Sequence, residues 1–515
     1  MANPQEAGAA LQPQATIDAT ALTGQLIQQE EGKFKRVFET EDLNQVKQSL
    51  QELVSRVLKG KLVKGNLFQL IDQATALLDK MLSDQVNAIM HHPDFRRLEG
   101  SWRGLKHLVD NTITGQHIKI RVLNITKAEL GSVMDRFSAE SGRSGWDQSP
   151  MFKQVFSQRF DQPGGEPFGC LVGDYQFDAS NQDVKLLARM AKVCSAAHAP
   201  FISGAAPKIM GLKSWENLPD PASLAEKMAD FASWKTLRDS EDSRYLALAL
   251  PRFMAREPYG AEAPAEGFNF EEDLRPAADE AQPGATAAGE STHDNYVWAN
   301  SAYALAVNIG RAFYDTGFCV RIRGVESGGK VEGLPVHKFP REDGTEGSKC
   351  PTEVSIPQQR EAELSRLGFM PLSHYTGTDF AAFIGGQTVQ KPAFYPGNDD
   401  ATANAELSAR LPYIFLLSRF AQYLKKMIYD WVGSPMSRDQ LEDALNGFAK
   451  NYTSAPSAAE DVKEKKPFKE ARIEVTEIAG KPGYYQAKAY LVPHIQLEGV
   501  AVDLGVVEKL PTPTA

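Results

Sequence analysis

Few residues in this 515-residue chain stand at the spacing that chemistry demands. His91 and His92 are the tightest pair of basic or metal-ligating side chains. Adjacent residues on a helix do not share a face, and no carboxylate stands at ligand spacing from them. A structural role therefore outweighs a metal site. The nine histidines contain no HExxH or other helical metal pair. Ser327-Gly328-Gly329-Lys330 lacks the first glycine and the closing Ser/Thr of a phosphate-binding loop. No Gly-X-Ser-X-Gly nucleophile elbow occurs. Gly385-Gly386-Gln387 matches the peptide-release tripeptide of translation termination factors, but without a basic, RNA-binding context. It reads as a turn after a strand at Phe380–Ile384. Asp399-Asp400 sit in a Gly/Asn/Asp loop and read as solvated. An acid–base pair stays open, because sequence does not show which carboxylates meet in space. No cofactor is expected.

The elements that would position such groups are easier to read. Asn66 is placed to cap a helix bearing Leu67, Leu70, Ile71, Ala74, Leu77, Leu78, Met81, Val86 and Ile89. Pro93 should stop it. A second helical stretch puts Trp102, Leu105, Leu108 and Val109 on one face, with Arg96, Arg97, Glu99 and Arg103 crowding the connection. We read a helical corner locked by charge pairs and a buried Trp102. Upstream, Leu43–Leu58 carries a clean helical stripe. Thr20–Glu30 is a short amphipathic segment, marginal alone, whose Leu22, Leu26 and Ile27 suit an accepting groove as well as their own domain.

From about Gly115 the pattern turns to α/β. Ile118, Ile120 and Val122 alternate as in a strand. Phe168–Val172, an Asn181-capped helix and Pro200–Ser203 form a strand–helix–strand unit, which makes a parallel crossover. Ala247–Leu250 adds a strand, Val297–Phe313 a helix, Cys319–Ile322 a strand and Glu361–Leu367 a helix closed by Gly368. Asn404–Val432 is a long helix in which Pro412 marks a kink or a fresh start. Residues 453–467 read as a charged linker. Arg472–Ile478 and Tyr484–Val492 form a hairpin, followed by a last strand in Glu498–Val507. The expected fold is mixed α/β. It has an N-terminal arm (1–60), a central α/β domain (61–370) and a C-terminal domain (371–515).

Composition narrows the function classes. Hydrophobic residues make up 42% of the chain, enough for a sizeable core. The net charge of −10 is local: residues 261–294 hold nine acids and one base, so they form an exposed acidic loop and leave the rest near −2. With no basic patch interleaved with aromatics, nucleic acid is not an expected partner. Cys170, Cys194, Cys319 and Cys350 are scattered without Cys-X-X-Cys spacing, as in a reducing compartment. The first residues lack the basic and apolar regions of a signal peptide, and no apolar run reaches membrane-spanning length. The expectation is a cytoplasmic protein with no direct membrane insertion.

Three segments together are more specific than any of these. His91–Val109 reads HHPDFRRLEGSWRGLKHLV, Ser243–Gly260 reads SRYLALALPRFMAREPYG, and Ala409–Lys425 reads ARLPYIFLLSRFAQYLK. In order and spacing they resemble the large sheath subunit of type VI secretion systems, the TssC/VipB family, over roughly residues 20–505. Pro93, Phe95, Glu99, Trp102 and Arg103 are the signature corner of that resemblance.

The resemblance implies a structural rather than catalytic protein. Members pair with a small sheath subunit and polymerise helically around an inner tube. They start from a baseplate, contract to drive the tube outward, and are dismantled by a AAA+ unfoldase. It implies strand exchange through chain termini, for which Ile473, Val475, Tyr485, Ala487, Ala489, Leu491, Val500 and Val502 are the candidates. Leu22, Leu26 and Ile27 fall where the unfoldase contact lies. Arg410, Arg419, Lys425 and Lys426 are candidates to face the tube, against the plain alternative of a solvated helix face. A cytosolic adaptor, or an enzyme with an atypical site, is the competing reading.

Overall fold

The computed structural model describes residues 67–115, 117–137, 145–162, 164–218, 224–229, 231–260, 263–265, 270–274, 293–340, 344–431, 434–477 and 485–494. Outside them lie Thr20–Glu30, Leu43–Leu58, most of the acidic loop 261–294, the hairpin turn and Glu498–Val507. The chain divides into two units, one of residues 1–97 and 257–296, the other of 98–256 and 297–515.

In the first unit, helix α1 (Leu67–Met90) ends before Pro93, which opens α2 (Pro93–Asp110). The pyrrolidine ring cannot continue α1 but suits the first turn of a new helix. His91 Nε2 lies 3.5 Å from the Glu272 carboxylate. Glu272 Oε2 also accepts the Tyr259 N–H at 3.0 Å. The histidine pair thus sits in a structural corner.

The second unit, which includes α2 from Leu98 onward, is built on one six-stranded sheet. After α3 (Lys127–Arg136), strands β1 (Leu171–Phe177), β2 (Phe201–Ala205) and β3 (Leu246–Leu250) run parallel. Helix α4 (Asn181–Ala197) makes the β1–β2 crossover. Its cap is Ser180, one residue before the expected Asn181, and its hydroxyl accepts the Asp183 N–H at 3.3 Å. Short strands β4 (Phe253–Met254) and β5 (Trp298–Ala299) pair with each other and precede α5 (Ser301–Thr316). Strand β6 (Lys330–Val331) follows, then the β7 (Lys338–Pro340) and β8 (Glu346–Ser348) hairpin and α6 (Gln358–Arg366). Strand β9 (Met370–His374) joins the sheet parallel to β3, and β10 (Ala381–Phe383) runs antiparallel between β9 and β6. The expected division at residue 370 passes through this sheet.

Alternation along β3 explains the layering. Leu246, Leu248 and Leu250 enter the core that holds α4, whereas Ala247 and Ala249 enter the core that holds α5. The small face is matched by Ala302 and Ala304 on α5, so helix and sheet approach closely. Two expected strands are not formed. Residues 118–122 and 319–322 pair with no strand among the described residues; Cys319 and Ile322 are instead held by burial in the core that contains α5.

The C-terminal part adds α7 (Asp399–Ser408), α8 (Leu411–Asp430), α9 (Arg438–Lys450), α10 (Glu460–Lys465), β11 (Phe468–Glu477) and β12 (Tyr485–Pro493). Pro412 marks a fresh start, at the head of α8. Residues 453–467, expected as a linker, are ordered. Helix α10 lies within them, and Glu464 pairs with Arg321 at 3.0 Å.

The α2 helix packs through glycine. Gly100 and Gly104, one turn apart, face Trp298 and Tyr303. A Cβ would come within 2.5 Å of the Trp298 carbonyl oxygen at Gly100, and within 2.5 Å of the Tyr303 ring at Gly104. Alanine favours a helix over glycine by about 1 kcal/mol. At Gly131 on α3, where nothing lies within 4 Å, Gly131→Ala should therefore raise the urea midpoint. Gly100→Ala should lower it, at a net cost of about 1–3 kcal/mol from overpacking. A gain at Gly100 would contradict the close approach.

Candidate assembly surfaces

The signature corner is an electrostatic clamp on a close helix contact. Glu99 Oε1 accepts from Arg103 Nε at 2.7 Å, one turn along, and from Arg256 Nε at 2.7 Å. Arg256 is buried. A buried guanidinium needs its carboxylate, since an unpaired buried charge is costly. Trp102 is not buried as expected: it is 64% exposed. With Leu98 and Val109 it forms an apolar ridge on the outer face of α2, and Phe95 is partly exposed. Sequence reading chose the large apolar residues as the inner face. The signal that could have found it was Gly100–Gly104 at helical spacing.

The hairpin is the second surface. Ile473 and Val475 are buried against Leu441 and Leu445 of α9. Asn446 Oδ1 accepts the Ile473 N–H at 2.8 Å, while its Nδ2 donates to the Ile473 carbonyl at 2.7 Å. Glu442 Oε2 accepts the Val475 N–H at 2.9 Å. Side chains of α9 therefore occupy the outer edge of β11, the place a neighbouring strand would take. Ile473 and Val475, expected as exchange positions, are engaged within their own chain.

Residues of an antiparallel pair alternate between hydrogen-bonded and non-hydrogen-bonded partners. Because the Ile473 and Val475 N–H groups turn away from β12, their register partners Ala489 and Ala487 turn theirs to the far edge of β12. Tyr485 and Leu491 follow the same alternation. Among the described residues no strand pairs with that edge. Val500 and Val502 lie outside the described residues, as do Leu22, Leu26 and Ile27.

The basic residues of α8 are mostly engaged as well. Arg419 lies between the rings of Phe313 and Tyr423 (4.9 and 4.7 Å) and donates to the Gln422 side chain at 3.2 Å. Lys425 pairs with Asp161 at 3.0 Å and caps the Phe160 ring at 4.0 Å. Arg410 stands just before α8 without a side-chain cap bond; its backbone bridges Gln387, and its charge acts on the Glu361 carboxyl. Lys426 is exposed. These four do not form one free basic stripe.

Among the described residues no group of three or more His, Cys, Asp or Glu side chains is arranged to hold a metal. No described helix is long and apolar enough to cross a membrane.

Comparison with known families decides the identity. Residues 72–390 match VipB, the EvpB/VC_A0108 tail sheath N-terminal domain, and residues 400–510 match VipB_2, the EvpB/VC_A0108 tail sheath gpW/gp25-like domain. The chain belongs to the VipB family of tail sheath proteins. It is similar to the type VI secretion system sheath protein TssC1 of Pseudomonas aeruginosa strain PAO1, with 47% identity over 508 residues and 97% of each chain covered. A sheath subunit works through its surfaces, which accords with the edge and ridge described above. Among solved structures, it is similar to a chain of the anti-feeding prophage baseplate, with a TM-score of 0.34, 10% identity, and 63% of this chain and 66% of that one covered. A chain of the same prophage's contracted helical sheath gives a TM-score of 0.29, 12% identity, and 63% and 75% covered. These two likenesses are too slight to carry an argument.

Two buried histidines, His198 beside α8 and His107 on α2, add an acid-sensitive contribution to stability. Burial, helped by Lys425 and Arg244, holds His198 below its ordinary 6.5, and burial lowers His107 despite Asp110. The unfolded chain takes up these protons at higher pH than the native one. Their contribution to stability is therefore full above about pH 6.5 and is lost as pH drops through the native values. His374, raised rather than lowered, acts with the opposite sign. His198 is left-handed at φ 51°, a conformation asparagine tolerates. His198→Asn should therefore fold and lose less of its melting temperature than wild type between about pH 7 and pH 5. Equal losses would contradict the assignment.

Proposed function

We propose that this chain is the large subunit of a type VI secretion contractile sheath. It acts in the cytosol as a structural protein rather than an enzyme. It pairs with a small sheath subunit, polymerises around an inner tube from a baseplate, and contracts to propel the tube. The observation that carries the reading beyond family membership is the asymmetry of the terminal hairpin. One edge is filled by Asn446 and Glu442, and the other offers the backbone groups of Tyr485, Ala487, Ala489 and Leu491. An open edge invites pairing with another chain, a hazard that most proteins suppress. In a sheath it serves as the connector. The ridge of Leu98, Trp102 and Val109 on α2 is the proposed seat of the small subunit, an apolar strip suited to an amphipathic helix. Leu22, Leu26 and Ile27 are the proposed anchors for a AAA+ unfoldase, and exposed Lys426 is the remaining candidate to face the tube.

Proline distinguishes the two edges. At Ala489 it removes an N–H that points away from β11, which an edge strand tolerates. At Lys488 it removes one that the hairpin itself uses. On co-expression with the small subunit, Ala489→Pro should leave a folded heterodimer but abolish tubules in negative-stain electron microscopy. Lys488→Pro should destabilise the subunit itself. Tubules of normal length from Ala489→Pro would overturn the connector assignment.

A further inference from the structure

Residues 117–125, between α2 and α3, carry a strand pattern that forms no ladder among the described residues. Burial alternates along them: Ile118 and Ile120 are half-buried, whereas Lys119 and Arg121 are exposed. Ile120 packs, with Leu105, against the core of Leu108 and Tyr303. With a period of two, Val122 is the next residue on that side. It is nonetheless 69% exposed, and Leu123 beside it is 53% exposed. The apolar side begins on α2 and runs out into solvent.

The backbone is equally open. The Ile118 carbonyl accepts the Gly115 N–H at 3.0 Å, and the Ile125 carbonyl accepts the Tyr175 hydroxyl at 2.9 Å. Between these two points, no backbone N–H or C=O of residues 119–124 has a hydrogen-bond partner among the described residues. Tyr175 belongs to β1, the end strand of the six-stranded sheet, so the segment lies beside a sheet edge. Unpaired main chain bearing exposed β-branched and apolar side chains is what strand addition uses. Main-chain hydrogen bonds supply the affinity and alternate side chains the specificity.

Charge and position indicate what adds. Lys119 Nζ lies 2.5 Å and an Arg121 nitrogen 3.6 Å from the Glu166 carboxylate, on which Arg159 also acts. Three cations around this carboxylate leave an excess of positive charge, which favours acidic side chains on an incoming strand. The outer face of α2, against which Ile120 packs, carries the ridge of Leu98, Trp102 and Val109, and Ile113 beyond the helix is 61% exposed. A chain seated on that ridge reaches residues 119–124 along continuous apolar surface.

We propose that residues 119–124 take a β-strand from the small sheath subunit, one that alternates apolar and acidic residues. The inference rests on the sheath reading above and gives that partner a second point of attachment beside the ridge. This contact lies within the heterodimer, whereas the terminal hairpin joins one heterodimer to the next.

The test is hydrogen–deuterium exchange with site-resolved fragmentation, on the full-length chain alone and on the co-expressed heterodimer isolated by size exclusion. Alone, the amides of residues 119–124 should exchange about as fast as those of an unstructured chain. In the heterodimer alternate amides should slow at least about tenfold, because a paired strand turns every other N–H to its neighbour. Arg121→Glu, with its melting temperature unchanged, should raise the heterodimer Kd about tenfold. Failure to form any heterodimer would overturn the sheath reading and this inference with it. A heterodimer in which these amides stay fast, or slow uniformly without alternation, would overturn the inference alone. Protection already present in the dilute chain would assign the segment to its own chain, and protection that grows with the concentration of the chain alone would assign it to a second copy; either overturns the proposal. An unchanged Kd for Arg121→Glu would overturn the acidic character of the strand.

Discussion

Everything in the larger unit hangs on α8. Its first turns are buried all round: Ile414 enters the core that holds α4, Leu411 and Phe415 enter the core that holds α5, and Leu416, Phe420 and Leu424 enter the core under the hairpin. A helix apolar on every side must be enclosed on every side, so the sheet and the hairpin cannot separate without exposing it. Within the larger unit, the parts of the two matched tail sheath domains on either side of residues 390–400 are thereby packed together. Packed side chains of α8, rather than a linker, join the hairpin to the sheet.

The hairpin is the proposed connector between subunits. Asn446 gives Ile473 both the donor and the acceptor that a strand would have given, so β11 is satisfied at home. The far edge of β12 keeps its alternate backbone groups turned outward. A single backbone hydrogen bond is worth only about 1 kcal/mol net. Repetition along a polymer makes such bonds strong in sum, while each remains independent of how the bodies pack. That independence is what a sheath changing its packing requires.

Much of this was legible in the sequence because local rules and tertiary demands agreed. Pro93 restarts a helix, Pro412 opens α8, and the strands expected over Arg472–Ile478 and Tyr484–Val492 form as the β11–β12 hairpin. The failures have physical causes. Large apolar side chains usually mark the core, which by sequence alone points Trp102 inward. Here backbone proximity needed glycine, and the tryptophan was left outside. Residues 118–122 and 319–322 have strand-like patterns but form no ladder among the described residues; burial of Cys319 and Ile322, not strand pairing, explains the apolar positions of the second. Charge density at 453–467 suggested a linker, yet Glu464 finds Arg321 and the segment is ordered. The basic side of α8 looked like a binding stripe, but Arg419 and Lys425 are drawn onto aromatic rings of their own chain. Sequence shows which residues carry charge, not which neighbours arrive to take it.

The most direct measurement is a cryo-electron microscopy reconstruction of the polymer formed with the small subunit, read at the β11–β12 hairpin. The account predicts a strand from another chain hydrogen-bonded to Ala487, Ala489 and Leu491, with Asn446 and Glu442 still seated on β11. A polymer in which the β12 edge faces solvent, or is covered only by its own chain, would contradict it.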